Sequence, residues 1–173
     1  MNSPGSENLR MLARYHRWAG RVLLEHLEPF SDDVWYRDEG LFFQSIHATL
    51  NHLLLVDRLW PGRLREEPIP FNGLDEILEP EREGLIRALE AEWQRIIDYV
   101  DSLDDEAAAG LARFRDSQGI ERQMPRGPLL QHLANHGTHH RGQISAVITR
   151  LGGTAPPMDL GYYLYELAEQ GDQ

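Results

Sequence analysis

The sequence contains no cysteine and no lysine: all 17 basic residues are arginine. Without cysteine there is no disulfide framework, thiolate nucleophile, iron–sulfur cluster or cysteine-ligated zinc. The missing lysine removes Schiff-base chemistry, an anchored pyridoxal phosphate and a Walker-type phosphate loop. Chemistry in this chain falls to His, Asp, Glu, Ser, Thr, Tyr or a bound ion. Positive charge is also scarce. The formal charge of −11 and the absence of a basic run speak against a nucleic-acid partner or an anionic membrane surface. No apolar stretch approaches a membrane span, and the opening "MNSPGSENLRML" lacks the charged and apolar blocks of a secretory signal. These features predict a cytoplasmic protein with no membrane partner.

What the chain does have is helical periodicity. At 173 residues it reads as a single domain, 1–173, with residues 1–6 as a flexible leader. Leu9, Leu12, Ala13, Trp18, Val22, Leu23 and Leu27 recur at helical spacing up to Pro29. After a turn-rich connection, "PFSDDVWYRDEG", a second helix is predicted from Gln44 or Ser45 to Trp60, stopped by Pro61-Gly62. It is apolar on most sides and is expected at the centre. The segment "RLREEPIPFNGLDEILEP" is a linker, and Pro80 suits the first turn of a third helix that carries Leu85, Leu89, Trp93, Ile96, Ile97 and Val100. Residues 112–125 alternate around Gln118-Gly119 and predict a short β-hairpin. Pro128 opens a fourth helix closed by Gly152-Gly153, and a short terminal helix follows in "MDLGYYLYELAEQ". The fold class is therefore all-α, a four-helix bundle with a hairpin before its last helix and a short C-terminal helix.

Histidine is concentrated in one place. The stretch "HGTHHRGQ" holds His136, His139 and His140, and His132 stands one turn upstream. At about 100° per residue, all four face one broad side of the fourth helix. His136–His140 and His132–His136 are both i, i+4 pairs, a spacing that grips one ion, and spacing does not choose between them. An ion normally takes three or more protein ligands. The second helix offers His47 and His52, about 140° apart, so only one of them faces a shared site. His16 and His26 read as surface or helix-end residues.

The chain resembles the DinB/YfiT-like superfamily of metal-dependent enzymes. Three elements carry the resemblance: "YHRWAGRVLLEHL", "SIHATLNHLLLVDRLW" and "LLQHLANHGTHHRGQIS", in that order, from about Leu9 to Leu167. The resemblance implies a four-helix bundle of DinB/YfiT-like type. It also implies a mononuclear divalent metal site (zinc, nickel, iron or manganese) built from His52, His136 and His140, with His47, His132 and His139 outside the ligand set. Such a centre leaves open positions for water or substrate. Partners for the outer ring nitrogens are sought in Asp57, Gln143 and Asn135. Arg141 reads as a surface cation or a group steering an anionic substrate, Gly142 as a point of close helix packing, and Tyr15, Trp18 and Trp60 as core aromatics or a pocket wall.

The family further implies a transferase using a low-molecular-weight thiol as cofactor, or a hydrolase, acting on a small-molecule substrate. The alternative is a non-enzymatic, stress-associated bundle stabilised by its metal. Relatives pair as homodimers, and the aromatic tail "LGYYLYEL" suits either such a surface or packing on its own bundle.

Overall fold

The computed structural model describes residues 5–67, 69–116 and 118–171. Its elements in order are α1 (Ser6–Leu27), α2 (Asp32–Tyr36), α3 (Ile46–Leu64), α4 (Arg82–Asp101), α5 (Asp105–Ala109), β1 (Leu111–Arg115), β2 (Glu121–Pro125), α6 (Arg126–Arg150) and α7 (Leu160–Gly171). The expected flexible leader, residues 1–6, does not extend to Ser6. Residues 1–4 lie outside the described residues, but Ser6 opens α1, and its backbone N–H donates to Asp105 Oδ1 at 2.8 Å.

The bundle is built from α1, α3, α4 and α6. Helix α1 packs on α4 and α6, and α3 packs on the same two, so α1 and α3 stand on opposite corners. Consecutive bundle helices at opposite corners require long connections, which the segments 28–45 and 102–125 provide. The second of these holds the hairpin, with Leu111 opposite Pro125 and Arg115 opposite Glu121. The all-α bundle with hairpin and terminal helix is thus as the periodicity predicts. The short helices α2 and α5 are additions to that expectation. No helix among the described residues is long and apolar enough to cross a membrane.

Helix α3 departs from its predicted end. Pro61 lies inside it, and the helix continues to Leu64. Proline forfeits one amide hydrogen bond and crowds the preceding turn, but one more turn buries Leu64, and Arg65 N–H still reaches the Pro61 carbonyl at 3.0 Å. At the start of α3, Ser45 Oγ accepts from the Ala48 N–H at 3.0 Å, an ordinary serine cap. Pro80, expected within the third helix, lies before its cap residue Glu81.

Two large apolar clusters fill the interior, and a small third one gathers Tyr15, Ala19 and Tyr163. One gathers Leu9, Val56, Ile97, Val100, Leu130 and Leu133 near the hairpin end. The other gathers Leu23, Trp35, Leu54, Leu89, Ile144 and Val147. Between them along the helices lies a buried polar layer made by His16, Asp57 and Arg141, each no more than 2 % exposed.

Candidate metal centre

Helix α3 is apolar on most faces, so His52 enters the interior with its leucine neighbours, and its ring meets α6 where His136 and His140 are stacked one turn apart. The three residues offer ligand atoms that all lie within 4.8 Å of one another. Ring centroids are 5.1 Å apart for His52–His136, 4.8 Å for His52–His140 and 4.5 Å for His136–His140. The Nε2 atoms of His52 and His136 are 3.2 Å apart. Two nitrogens bound to one ion at about 2.0–2.1 Å stand roughly 3.0–3.4 Å from each other, so this separation suits a shared cation.

The outer nitrogens decide which way each ring presents its lone pair. His52 Nδ1 donates to the Leu74 carbonyl at 2.7 Å, and His140 Nδ1 donates to Gln143 Oε1 at 2.8 Å. A neutral imidazole carries one hydrogen, so both rings keep Nε2 bare. His136 Nδ1 is buried and has no hydrogen-bond partner among the described residues. Burial, reinforced by the neighbouring histidines, pushes the His136 pKa down to about 3. Burial also takes His140 down to about 4, against the opposing Gln143 hydrogen bond, and lowers His52. All three rings are therefore neutral near pH 7, the form in which a histidine binds a metal.

Phe43 closes one side. Its ring stacks on His52 at 4.0 Å and lies 5.7 Å from His140. The 65–80 connection closes another side through the Leu74 carbonyl. Asn51 anchors that segment: its Oδ1 accepts from Leu78 and Glu79 N–H at 2.9 Å, and its Nδ2 donates to the Glu79 carbonyl at 3.1 Å. Neither Phe43 nor Asn51 stood out in the sequence, and a backbone carbonyl such as that of Leu74 has no signature there at all.

The other histidines lie outside this cluster. His47 packs on Tyr36 at 4.5 Å, His132 sits between Trp60 and His136, and His139 is exposed. His26 bonds the Val22 carbonyl near the end of α1, as expected of a helix-end residue.

Four expectations are corrected. His16 is not superficial: it is buried, with Nε2 against Asp57 at 3.0 Å and Nδ1 accepting from Arg141 Nη1 at 3.2 Å. Asp57 does not support His52; it binds His16 and accepts from Trp93 Nε1 at 3.1 Å. Arg141 is neither a surface cation nor a steering group, because its guanidinium is buried between His16, Thr138 and the Tyr15 ring. Gly142 faces open space, whereas at Gly137 a Cβ would lie 2.5 Å from Arg141 Nη1 and from His16 Cε1, and at Gly20 it would lie 2.4 Å from the Trp93 ring. Of the three support candidates, Gln143 touches a histidine of the cluster. Asn135 is exposed.

Among the aromatics, Tyr15 is buried and bonds the Met158 carbonyl at 2.9 Å, while Trp18 and Trp60 are half-buried. The C-terminal helix packs on the bundle through Tyr163, which lies against Tyr15 and Trp18. Tyr162 and Tyr165 on its other side are exposed.

A sequence model described as the DinB family matches residues 1–171. Protein DinB of Bacillus subtilis (strain 168) is 28 % identical over 162 residues, spanning 89 % of this chain and 92 % of the relative. Among solved structures, YfiT from Bacillus subtilis, described as a probable metal-dependent hydrolase with an unusual four-helix bundle topology, superposes with a TM-score of 0.68. The identity is 17 %, with 89 % of this chain and 93 % of YfiT covered. A DinB-like protein from Bacillus cereus ATCC 10987 superposes with a TM-score of 0.62 at 17 % identity, covering 90 % and 98 % of the two chains.

Proposed function

The chain belongs to the DinB family, and on that basis we propose that it is a metal-dependent enzyme whose mononuclear divalent ion is held by His52, His136 and His140. The observation that carries this reading is the convergence of three neutral imidazoles, two of them with Nδ1 committed to fixed acceptors. Such a donor set fits zinc, nickel, iron or manganese, and three ligands leave the coordination shell open, as in catalytic rather than structural sites. A divalent ion bound there supplies Lewis acidity, lowering the pKa of water or of a thiol and polarising the bond to be attacked.

The protein's own residues do the rest. Leu74 and Gln143 hold two rings in the tautomer that binds metal. Phe43 covers one flank of the cluster and restricts access of water there. A chain with neither cysteine nor lysine offers no nucleophile of those types, and in this reading the attacking group is water or a low-molecular-weight thiol from outside. Hydrolysis accords with the description of YfiT, and thiol transfer to a small electrophile uses the same centre.

Elemental analysis of untagged protein tests this reading, using wild type, His52→Ala, His136→Ala, His140→Ala and a His139→Ala control. The expected result is one ion per chain in wild type and control, with loss in the other three. Metal retained in all three variants overturns the ligand set. An ion whose shell admits no exchangeable water or added thiol favours the non-enzymatic, metal-stabilised bundle instead.

A further inference from the structure

No basic run is visible in the sequence, yet the fold assembles one. Beneath the hairpin lies a cleft of about 740 Å³ lined by Arg63 from α3 and by Arg113, Arg115 and Arg122 from the two strands, with Glu66 and Glu121 beside them. Arg115 pairs with Glu121 at 2.7 Å and Arg122 with Asp116 at 2.8 Å. Arg63 and Arg113 have no carboxylate within ion-pair distance among the described residues. Two guanidinium groups of this concavity thus stand outside its ion pairs.

Arg63 is held in place rather than free in solvent. Its guanidinium lies 5.0 Å from the Trp60 ring centroid and 5.6 Å from that of Phe114. A half-buried cation on two aromatic faces is fixed in direction; Asp116 acts on its charge without pairing with it.

A row of packed rings runs from the histidine cluster to Phe114 at the wall of the cleft. His132 lies 5.6 Å from His136 and 5.3 Å from Trp60, and Trp60 lies 5.3 Å from Phe114, all between ring centroids. His132 and Trp60 are half-buried, so this row of rings is partly open to solvent. On α3, Arg63 follows His52 by eleven residues. That places it on nearly the same stripe of the helix and about 16 Å further along it.

We propose that this cleft binds the oxyanion end of the molecule acted on at the histidines, with Arg63 and Arg113 as the groups that hold a carboxylate or phosphate. The inference rests on the proposed metal-centred activity and names its substrate class: an elongated small molecule, reactive at one end and anionic roughly 16 Å away. Guanidinium groups suit either anion through paired N–H donors. His132 and Trp60 line the span between the two ends.

The test is a titration of full-length protein with inorganic phosphate and, separately, with succinate at constant ionic strength. The readout is the arginine Nε–H resonances, assigned by single Arg→Gln variants. Metal content is measured on the same samples, and each titration is run on metal-loaded and metal-stripped protein. Saturable shifts at Arg63 and Arg113 are expected with and without metal. Binding should weaken at least tenfold in Arg63→Gln and in Arg113→Gln and remain unchanged in Arg87→Gln, which alters an exposed residue of α4. The relative strength of the phosphate and succinate arms identifies the preferred anion.

Shifts that fail to saturate, or that appear equally at Arg87, indicate general screening and overturn the assignment. So does saturation that disappears when metal is stripped, because the anion is then on the ion. A protein that binds no metal but still saturates at Arg63 and Arg113 defeats the metal reading and leaves the anion site standing. Normal metal content without saturation does the reverse.

Discussion

His16 on α1 accepts a hydrogen bond at Nδ1 from Arg141 Nη1 of α6 at 3.2 Å while its Nε2 faces Asp57 of α3. Because a guanidinium only donates, the ring carries its hydrogen on Nε2, directed at the carboxylate. One histidine thus links a buried cation to a buried anion across three helices. The Trp93 indole adds the fourth helix by donating to the same carboxylate.

Removing the middle of this relay should be costly. His16→Ala leaves Asp57 short of a partner and Arg141 Nη1 without its acceptor, and is expected to lower stability by about 3–5 kcal/mol, as when a buried charge loses its partner. Urea unfolding of metal-free protein measures this. A loss below about 1 kcal/mol would mean that water replaces the ring.

Two glycines of α6 should respond in opposite directions to the same change. At Gly137 an added methyl meets Arg141 and His16, and Gly137→Ala should destabilise by about 1–3 kcal/mol through overpacking. At Gly142 the methyl meets nothing, and Gly142→Ala should stabilise by about 0.5–1 kcal/mol because alanine is the better helix former. Thermal denaturation of the two variants side by side is sufficient.

The Gln143 amide fixes the His140 ring. Gln143→Ala should therefore weaken metal affinity by roughly 10–100-fold while leaving the fold intact. A chelator competition measures the change, and an affinity equal to wild type would show that His140 needs no such support.

The histidine cluster also fixes a pH dependence for metal-free protein. The folded-state pKa values of His136 and His140 lie at about 3 and about 4, well below the usual value near 6.5 for an unfolded chain. On acidification the unfolded state takes up these protons first. Their contribution to stability is complete above about pH 6.5 and declines as the pH falls toward the folded-state values. Urea midpoints between pH 7.5 and pH 5 should fall accordingly, and fall less steeply in His136→Ala. Equal slopes for the two proteins would contradict the assignment.

Much of this architecture was legible because apolar periodicity alone marks α1, α3, α4 and α6 and alternation marks the hairpin. The end of α3 was not, since the burial of Leu64 outweighs the local cost of Pro61. The shared side of His136 and His140 followed from helix geometry, and the choice of His52 over His47 from family resemblance. His16, Asp57 and Arg141 were misread for one reason. Each carries the polarity of a surface residue, and only the packing of three helices distant in sequence shows that they neutralise one another.

His140 and Arg141 are consecutive on α6, yet one belongs to the histidine cluster and the other to the buried polar layer. The frame of α6 is therefore held from two sides, which makes the helix intolerant of length change. Inserting or deleting a single residue between Leu133 and His136 would rotate the two ends by about 100° relative to each other. Either the imidazoles would then face away from His52 or the apolar start of the helix would leave the core. Exposed positions of this helix such as His139 have room to drift, but the count of residues between Leu133 and His136 does not.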